Sequence, residues 1–115
     1  MSILSKPGAD IWIRDGLSFD EALSRTTHLG IGAHQDDLEF MAYEGIAECY
    51  KSQDQWFAGI TVTDGRGSSR LGPYAHYTDD EMCVARKEEQ RKAAEMGKYT
   101  AQMQLDYASR QVKGE

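Results

Sequence analysis

The stretch Leu29-Gly30-Ile31-Gly32-Ala33-His34-Gln35-Asp36-Asp37-Leu38 decides the fold class of this chain. Its first five residues are an apolar run, which is compatible with a buried strand of a parallel sheet. The two glycines weaken the strand, yet they allow a neighbouring element to approach the backbone closely. A helical pattern begins at Leu38, so the polar residues between strand and helix lie at the carboxyl end of the strand. Open α/β sheets bind their ligands at that end.

The rest of the chain alternates between the two kinds of element. Capping boxes at Ser18/Glu21 and Thr78/Glu81 predict helices that run to about Arg25 and Met96. Between and after them we expect an amphipathic helix over 38–52 and strands over 56–63 and 103–107. This order predicts an α/β fold with a Rossmann-like parallel sheet and flanking helices. Three strands and two or three helices cannot cover both faces of such a sheet, so we expect it to be incomplete in this chain.

Composition excludes several classes of function. The 115 residues carry a formal net charge of −6, which argues against a nucleic-acid binder. No apolar run approaches the roughly 18 residues of a membrane span, and the N-terminus lacks a signal-peptide pattern. Cys49 and Cys83 are far apart within helical patterns, as expected for small buried thiols in a reducing compartment. We therefore expect a cytoplasmic protein with no nucleic-acid or membrane partner.

His34, Asp36 and Asp37 carry the chemistry of the strand-to-helix turn. An imidazole and a carboxylate are ordinary ligands for a divalent metal, usually zinc. A second, unligated carboxylate beside them could deprotonate a metal-bound water. The alternative is a polar turn in which one aspartate caps the following helix.

The turn also carries a resemblance to a known family. The run Ala33-His34-Gln35-Asp36-Asp37 resembles the Ala-His-Pro-Asp-Asp signature of the PIG-L/LmbE-like zinc-dependent N-deacetylases, with Gln35 in the place of proline. The resemblance covers about residues 29–107. It continues through Thr63-Asp64-Gly65, Arg86-Lys87-Glu88-Glu89, Ala93-Ala94 and Gly97. We accordingly divide the chain into an N-terminal extension, 1–28, and the N-terminal portion of a deacetylase-like α/β domain, 29–115.

The resemblance implies roles for four residues. His34 and Asp37 would ligate Zn²⁺, Asp36 would be the general base, and Arg86 would contact hydroxyl groups of the substrate. For Arg86 the alternative is a surface arginine paired with Glu89 or Gln90 one turn further on.

Three features of the sequence depart from the family pattern or leave it incomplete. Gln35 is expected to loosen the turn without removing a ligand. Ser109 stands where the family often has an aspartate that helps to bind the sugar. The third zinc ligand of the family is a histidine further along the chain, which we expect downstream of Glu115. Within the sequence, His28 precedes the strand and so lies at its opposite end, and His76 is expected to be a solvated loop residue.

The expected function is that of a metal-dependent hydrolase. It would remove an N-acetyl group from an amino sugar or a similar small amide, through a zinc-activated water, although these 115 residues alone could be inactive. The alternative is a catalytically silent, truncated α/β module that binds a small ligand or a partner. In either case we expect a homo-oligomer or a missing C-terminal segment, because Met41, Ile46, Ile60 and Val62 would otherwise be short of packing partners.

Overall fold

The computed structural model describes residues 8–35, 37–66 and 72–108. The strands are β1 (Asp10–Ile13), β2 (His28–Gly32), β3 (Phe57–Thr63) and β4 (Ala101–Tyr107). The helices are α1 (Phe19–Arg25), α2 (Asp37–Met41), α3 (Tyr43–Lys51) and α4 (Asp79–Met96), with short 3₁₀ turns at Arg14–Gly16 and Gly72–Tyr74. No helix in these ranges is long and apolar enough to cross a membrane.

The four strands form one mixed sheet in the order β1-β4-β3-β2. Strands β2, β3 and β4 are parallel, whereas β1 pairs antiparallel with β4. The predicted α/β class is therefore confirmed, but the sheet is mixed rather than wholly parallel. The antiparallel strand comes from the segment 1–28, in which the sequence predicts no strand.

Both capping boxes are present and set the starts of α1 and α4. The backbone N–H of Glu21 donates to Ser18 Oγ at 3.1 Å, and Glu21 Oε1 accepts from the backbone N–H of Ser18 at 3.0 Å. Thr78 and Glu81 form the same reciprocal pair at 3.1 and 2.9 Å. These bonds satisfy N–H groups that have no partner within the helix.

The helix predicted over 38–52 is two helices, because the chain bends at Ala42, where φ is −113° and ψ is 19°. Before the bend, Leu38 is 1% exposed and lies over the glycines of the sheet. After the bend, Cys49 packs into a core cluster with Phe57, Ala94 and Tyr99. Leu38 before the bend thus packs on glycines of β2 and β3, and Cys49 after the bend packs into this cluster.

Glycines of β2 and β3 permit this packing. A Cβ atom on Gly59 would lie 2.4 Å from Gln102 Oε1 and 2.6 Å from Leu38 Cδ1. A Cβ atom on Gly30 would lie 2.8 Å from Phe57 Cζ. The close approach expected at the β2 glycine Gly30 is thus confirmed.

The described helices cover the two faces of the sheet unequally. The face that carries Gly30, Gly59 and Gln102 lies under α2 and α4, and Gln104 on that face donates from Nε2 to the Lys87 carbonyl of α4 at 3.1 Å. The opposite face carries exposed side chains: Leu29 55%, Ile31 60% and Ile11 41%.

Among the residues expected to lack partners, Met41 is 72% exposed, whereas Ile46, Ile60 and Val62 are half-buried. Within the described chain, β2 has a neighbouring strand on one side only.

Candidate metal centre

His34 and Asp37 come together at the carboxyl end of β2. His34 Nδ1 lies 3.6 Å from Asp37 Oδ2, and the two side chains are 53% and 34% exposed. The same Asp37 oxygen accepts a hydrogen bond from the backbone N–H of His34 at 2.9 Å. A carboxylate oxygen can accept from more than one donor. Asp37 therefore closes the turn through the N–H of His34 and also faces the imidazole.

Gln35 connects this turn to β3 by a hydrogen bond. Its side chain is 8% exposed, and its Nε2 donates to the Thr63 carbonyl at the end of β3 at 2.9 Å. The backbone N–H of Thr63 in turn donates to the Ala33 carbonyl at 2.9 Å. The expectation that Gln35 loosens the turn is thus wrong, because its amide makes a buried hydrogen bond that a proline could not make.

Arg86 lies near the same turn, on the far side of Gly65 from Gln35. A Cβ atom on Gly65, where φ is +79°, would lie 2.8 Å from Arg86 Cβ and 3.0 Å from Gln35 Oε1. Gly65 therefore separates the Arg86 stem from the turn that carries His34. The guanidinium is paired by Nη1 with Glu89 Oε1 at 2.6 Å, which is the alternative interpretation of this arginine.

The Arg86–Glu89 pair is covered by an aromatic ring. The guanidinium carbon of Arg86 lies 5.2 Å from the centre of the Tyr74 ring, and the Tyr74 hydroxyl donates to Glu89 Oε2. The bond to Glu89 raises the pKa of Tyr74, so its phenol remains a donor. Glu89 thus accepts hydrogen bonds from both Arg86 and Tyr74.

The remaining site predictions divide into two groups. Asp36 and Ser109 lie outside the residues that the structure describes. His28 begins β2 at the end opposite to His34, where its Nε2 lies 3.5 Å from Glu48 Oε2. His76 is exposed. Within the described ranges, no group of three or more His, Cys, Asp and Glu side chains is placed to hold a metal ion.

A buried charge network beside the turn was missed by the sequence analysis. Asp64 follows β3 and is 5% exposed, and its carboxylate accepts from the backbone N–H and from Nη1 of Arg66, both at 2.9 Å. Asp106 in β4 is 8% exposed and lies 3.1 Å from Lys87 Nζ and 3.7 Å from Arg66 Nη1. The pairing with Asp64 raises the pKa of Arg66, so the guanidinium stays charged.

The backbone at Asp106 is strained. Its φ is +67°, and the pairing of β3 with β4 shifts register just here, between Thr61 and Thr63. A bulge of this kind re-aims a side chain, and non-glycine residues with positive φ persist where the surroundings hold them. The local signal in the sequence is an aspartate between Leu105 and Tyr107 in the predicted strand.

Both cysteines are free and buried, as predicted. Burial raises the pKa of both thiols. Cys83 Sγ lies 3.7 Å from Asp106 Oδ1. Neither side chain therefore has the lowered pKa of a nucleophilic cysteine.

The donors at the β2 turn fit a zinc ion in kind and in spacing. Two ligand atoms about 2.1 Å from a tetrahedral zinc lie about 3.4 Å apart, close to the 3.6 Å between His34 Nδ1 and Asp37 Oδ2. They would supply two of the three protein ligands that a catalytic zinc usually has. No family model, curated protein or solved structure matches the chain.

Proposed function

We propose that this protein is a zinc-dependent amide hydrolase that removes an N-acetyl or other acyl group from an amino sugar or a similar small amide. The observation that carries the proposal is the convergence of His34 Nδ1 and Asp37 Oδ2, 3.6 Å apart, at the carboxyl end of a parallel strand. The resemblance to the PIG-L/LmbE-like deacetylases supports the choice of an amide as substrate.

Each residue of the turn has a distinct role in this proposal. His34 and Asp37 hold the metal, together with a third ligand from outside the described residues. Zinc, when bound, supplies a Lewis acid that lowers the pKa of a water and polarises the amide carbonyl. Asp36 accepts the proton of the attacking water on its carboxylate. Arg86 donates from its guanidinium to hydroxyl groups of the substrate.

Two wider features belong to the same proposal. The parallel strands β2, β3 and β4, with α2 and α4 on one face, support a Rossmann-like sheet as the framework of the site. The buried free thiols of Cys49 and Cys83 support a reducing compartment, for which the cytoplasm is our choice.

A second candidate is a silent α/β module that binds a small ligand or a partner at the same strand ends. The observation that favours it is the pairing of Arg86 with Glu89 at 2.6 Å, because a substrate would have to compete for that guanidinium.

Zinc calorimetry on three proteins tests the metal centre. The wild-type chain should bind zinc weakly, His34→Ala should lose that binding, and His76→Ala should keep it because His76 is an exposed loop residue. Equal binding by the wild type and His34→Ala would remove the metal-site assignment. A form with a complete metal site that binds zinc but releases no free amine from N-acetylglucosamine would favour the silent module.

A further inference from the structure

The hydrogen-bond ladder between β2 and β3 continues beyond the last residue of β2. The two strands are paired in parallel up to Gly32 with Thr61, so the next pair in this register is His34 with Thr63. In a parallel ladder, one residue of a pair uses its N–H and its C=O to bond the residues on either side of its partner. In this register, Thr63 would bond residues 33 and 35.

Thr63 makes both of these bonds, but the second one is to a side chain. Its backbone N–H donates to the Ala33 carbonyl at 2.9 Å. Its carbonyl accepts from Gln35 Nε2, also at 2.9 Å. The side-chain amide of Gln35 thus takes the place of the backbone N–H of a continuing strand, at the point where the chain turns towards α2. The ladder is extended by one pair, and His34 lies at that pair.

The bond between Gln35 and Thr63 is shielded from solvent. Thr63 is 1% exposed and Gln35 is 8% exposed, and the bond itself is buried. Removing the donor would leave the Thr63 carbonyl buried without this partner, which is unfavourable. The other polar atom of the Gln35 amide, Oε1, lies towards Gly65, where a Cβ atom would be 3.0 Å away. The amide therefore has a close neighbour on each side that restricts its position.

The two ligand atoms of the proposed metal centre depend on how this turn is held. The His34 and Asp37 side chains are 53% and 34% exposed, so surrounding side chains restrict them little. Helix α2, which begins at Asp37, is only five residues long. By contrast, the backbone of His34 is bonded to β3 on both sides, through Ala33 and through the Gln35 amide. The direction of the His34 side chain therefore follows from these two bonds.

We propose that Gln35 is a positioning residue of this metal centre. By completing the ladder at His34, its amide sets the separation of His34 Nδ1 and Asp37 Oδ2 before a metal ion binds. The inference rests on the proposed function for its metal, whereas the hydrogen bond belongs to the metal-free chain. Gln35 acts through the backbone of the turn and is not a ligand. Replacing groups that orient metal ligands typically weakens metal binding by about 10–100-fold.

A purely structural role for Gln35 is the competing possibility. A buried hydrogen bond stabilises a fold wherever it lies, so a loss of stability alone would not separate the two roles. Gln104 offers a matched control, because it is fully buried and its Nε2 donates to a backbone carbonyl, that of Lys87, at 3.1 Å. Its strand, β4, is separated from β2 by β3. Replacing Gln104 therefore removes the same kind of bond without touching the turn.

The first measurement does not involve zinc. The buried Thr63 N–H donates to the Ala33 carbonyl, so its exchange with solvent reports whether the turn stays attached to β3. Gln35→Leu should speed this exchange roughly tenfold, whereas Gln104→Leu should leave it at the wild-type rate. Unchanged exchange in Gln35→Leu would show that the amide does not hold the turn, and would overturn the proposal.

The second measurement is the zinc affinity of the same full-length chains. It is obtained by competition with a chromogenic chelator, at a temperature below the unfolding midpoints of all the variants. We expect the dissociation constant for zinc to rise roughly tenfold in Gln35→Leu and to stay at the wild-type value in Gln104→Leu. Gln35→Asn has an amide one methylene too short to reach Thr63, so it should resemble Gln35→Leu and replaces it if leucine prevents folding.

The zinc measurement separates a failure of this inference from a failure of the proposed function. Wild-type zinc affinity in a folded Gln35→Leu or Gln35→Asn would overturn the positioning role and leave the proposed hydrolase intact. An equal loss of affinity in Gln104→Leu would assign the effect to general stability and would also overturn it. A wild type that binds no zinc would remove the metal centre, and with it the ligands that Gln35 is proposed to position.

Discussion

The same glycine-to-alanine change should have opposite effects on stability at two positions. Gly59→Ala places a methyl group 2.4 Å from Gln102 Oε1 and 2.6 Å from Leu38 Cδ1, where non-bonded carbon contacts are normally about 3.5–4.0 Å. Both neighbours are buried, at 0% and 1% exposure, so neither can turn away into solvent. Overpacking of this kind costs about 1–3 kcal/mol.

Gly45→Ala is the matched control. Gly45 lies in α3, and the nearest atom to an added methyl group is His28 Cδ2 at 3.8 Å, an ordinary contact. Replacing a helical glycine by alanine without a clash should stabilise the fold by about 0.5–1 kcal/mol. The two variants should therefore differ by about 1.5–4 kcal/mol in the free energy of unfolding.

Urea unfolding followed by circular dichroism measures this difference. The midpoints should move in opposite directions while the slopes stay equal, since the surface exposed on unfolding is unchanged. Two destabilised variants, or a Gly59→Ala protein as stable as the wild type, would show that Leu38 does not rest on the sheet as described. The position of α2, which begins at Asp37, would then be in doubt as well.

Three further changes test other parts of the structure. Glu81→Gln should make the free energy of unfolding fall less steeply on acidification, because hydrogen bonds from Thr78 lower the pKa of Glu81 below the ordinary 4.5. In the wild type, the stability that these bonds contribute is present above pH 4.5 and is lost as pH falls through the lowered pKa. Equal loss of stability in the two proteins on acidification would contradict this prediction. Lys87→Met should lower the free energy of unfolding in urea by about 3 kcal/mol, because it removes a partner of the buried Asp106 carboxylate. Lys92 is exposed on the same helix, so Lys92→Met should change that free energy by under about 0.5 kcal/mol. In a form with a complete metal site, Asp36→Asn should keep zinc but lower amide turnover about 10²–10⁴-fold, whereas Asp37→Asn should release zinc; identical behaviour would show that the two roles are wrongly divided.

Local signals in the sequence predicted the elements that local chemistry defines. The bounds of α4 follow from the Thr78 capping box and from Gly97, and the structure has them as predicted. The proximity of His34 and Asp37 also follows from local sequence, because the two residues are three positions apart in the turn between β2 and α2. These features need no information from distant parts of the chain.

Features that depend on distant contacts were not predicted. Strand β1 is four residues long and pairs with β4, about 90 residues further along the chain, so its short pattern gives little local signal. The bend at Ala42 involves neither proline nor glycine and accompanies packing on two different parts of the sheet side. The buried hydrogen bond of Gln35 and the charge network of Asp106 likewise need the ends of neighbouring strands to meet.

The position of β2 at one side of the sheet bears on how the protein fluctuates. Strand β4 lies between β1 and β3 with residues 101–106 all buried, so its amide protons should exchange with solvent only when the whole fold opens. Strand β2 is hydrogen-bonded on one side among the described residues, so half of its amides can exchange through local opening. The turn with His34 and Asp37 continues from this strand. The geometry of those two side chains is therefore only as persistent as this edge strand. A ligand that bridges them should slow amide exchange along β2 while leaving β4 unchanged.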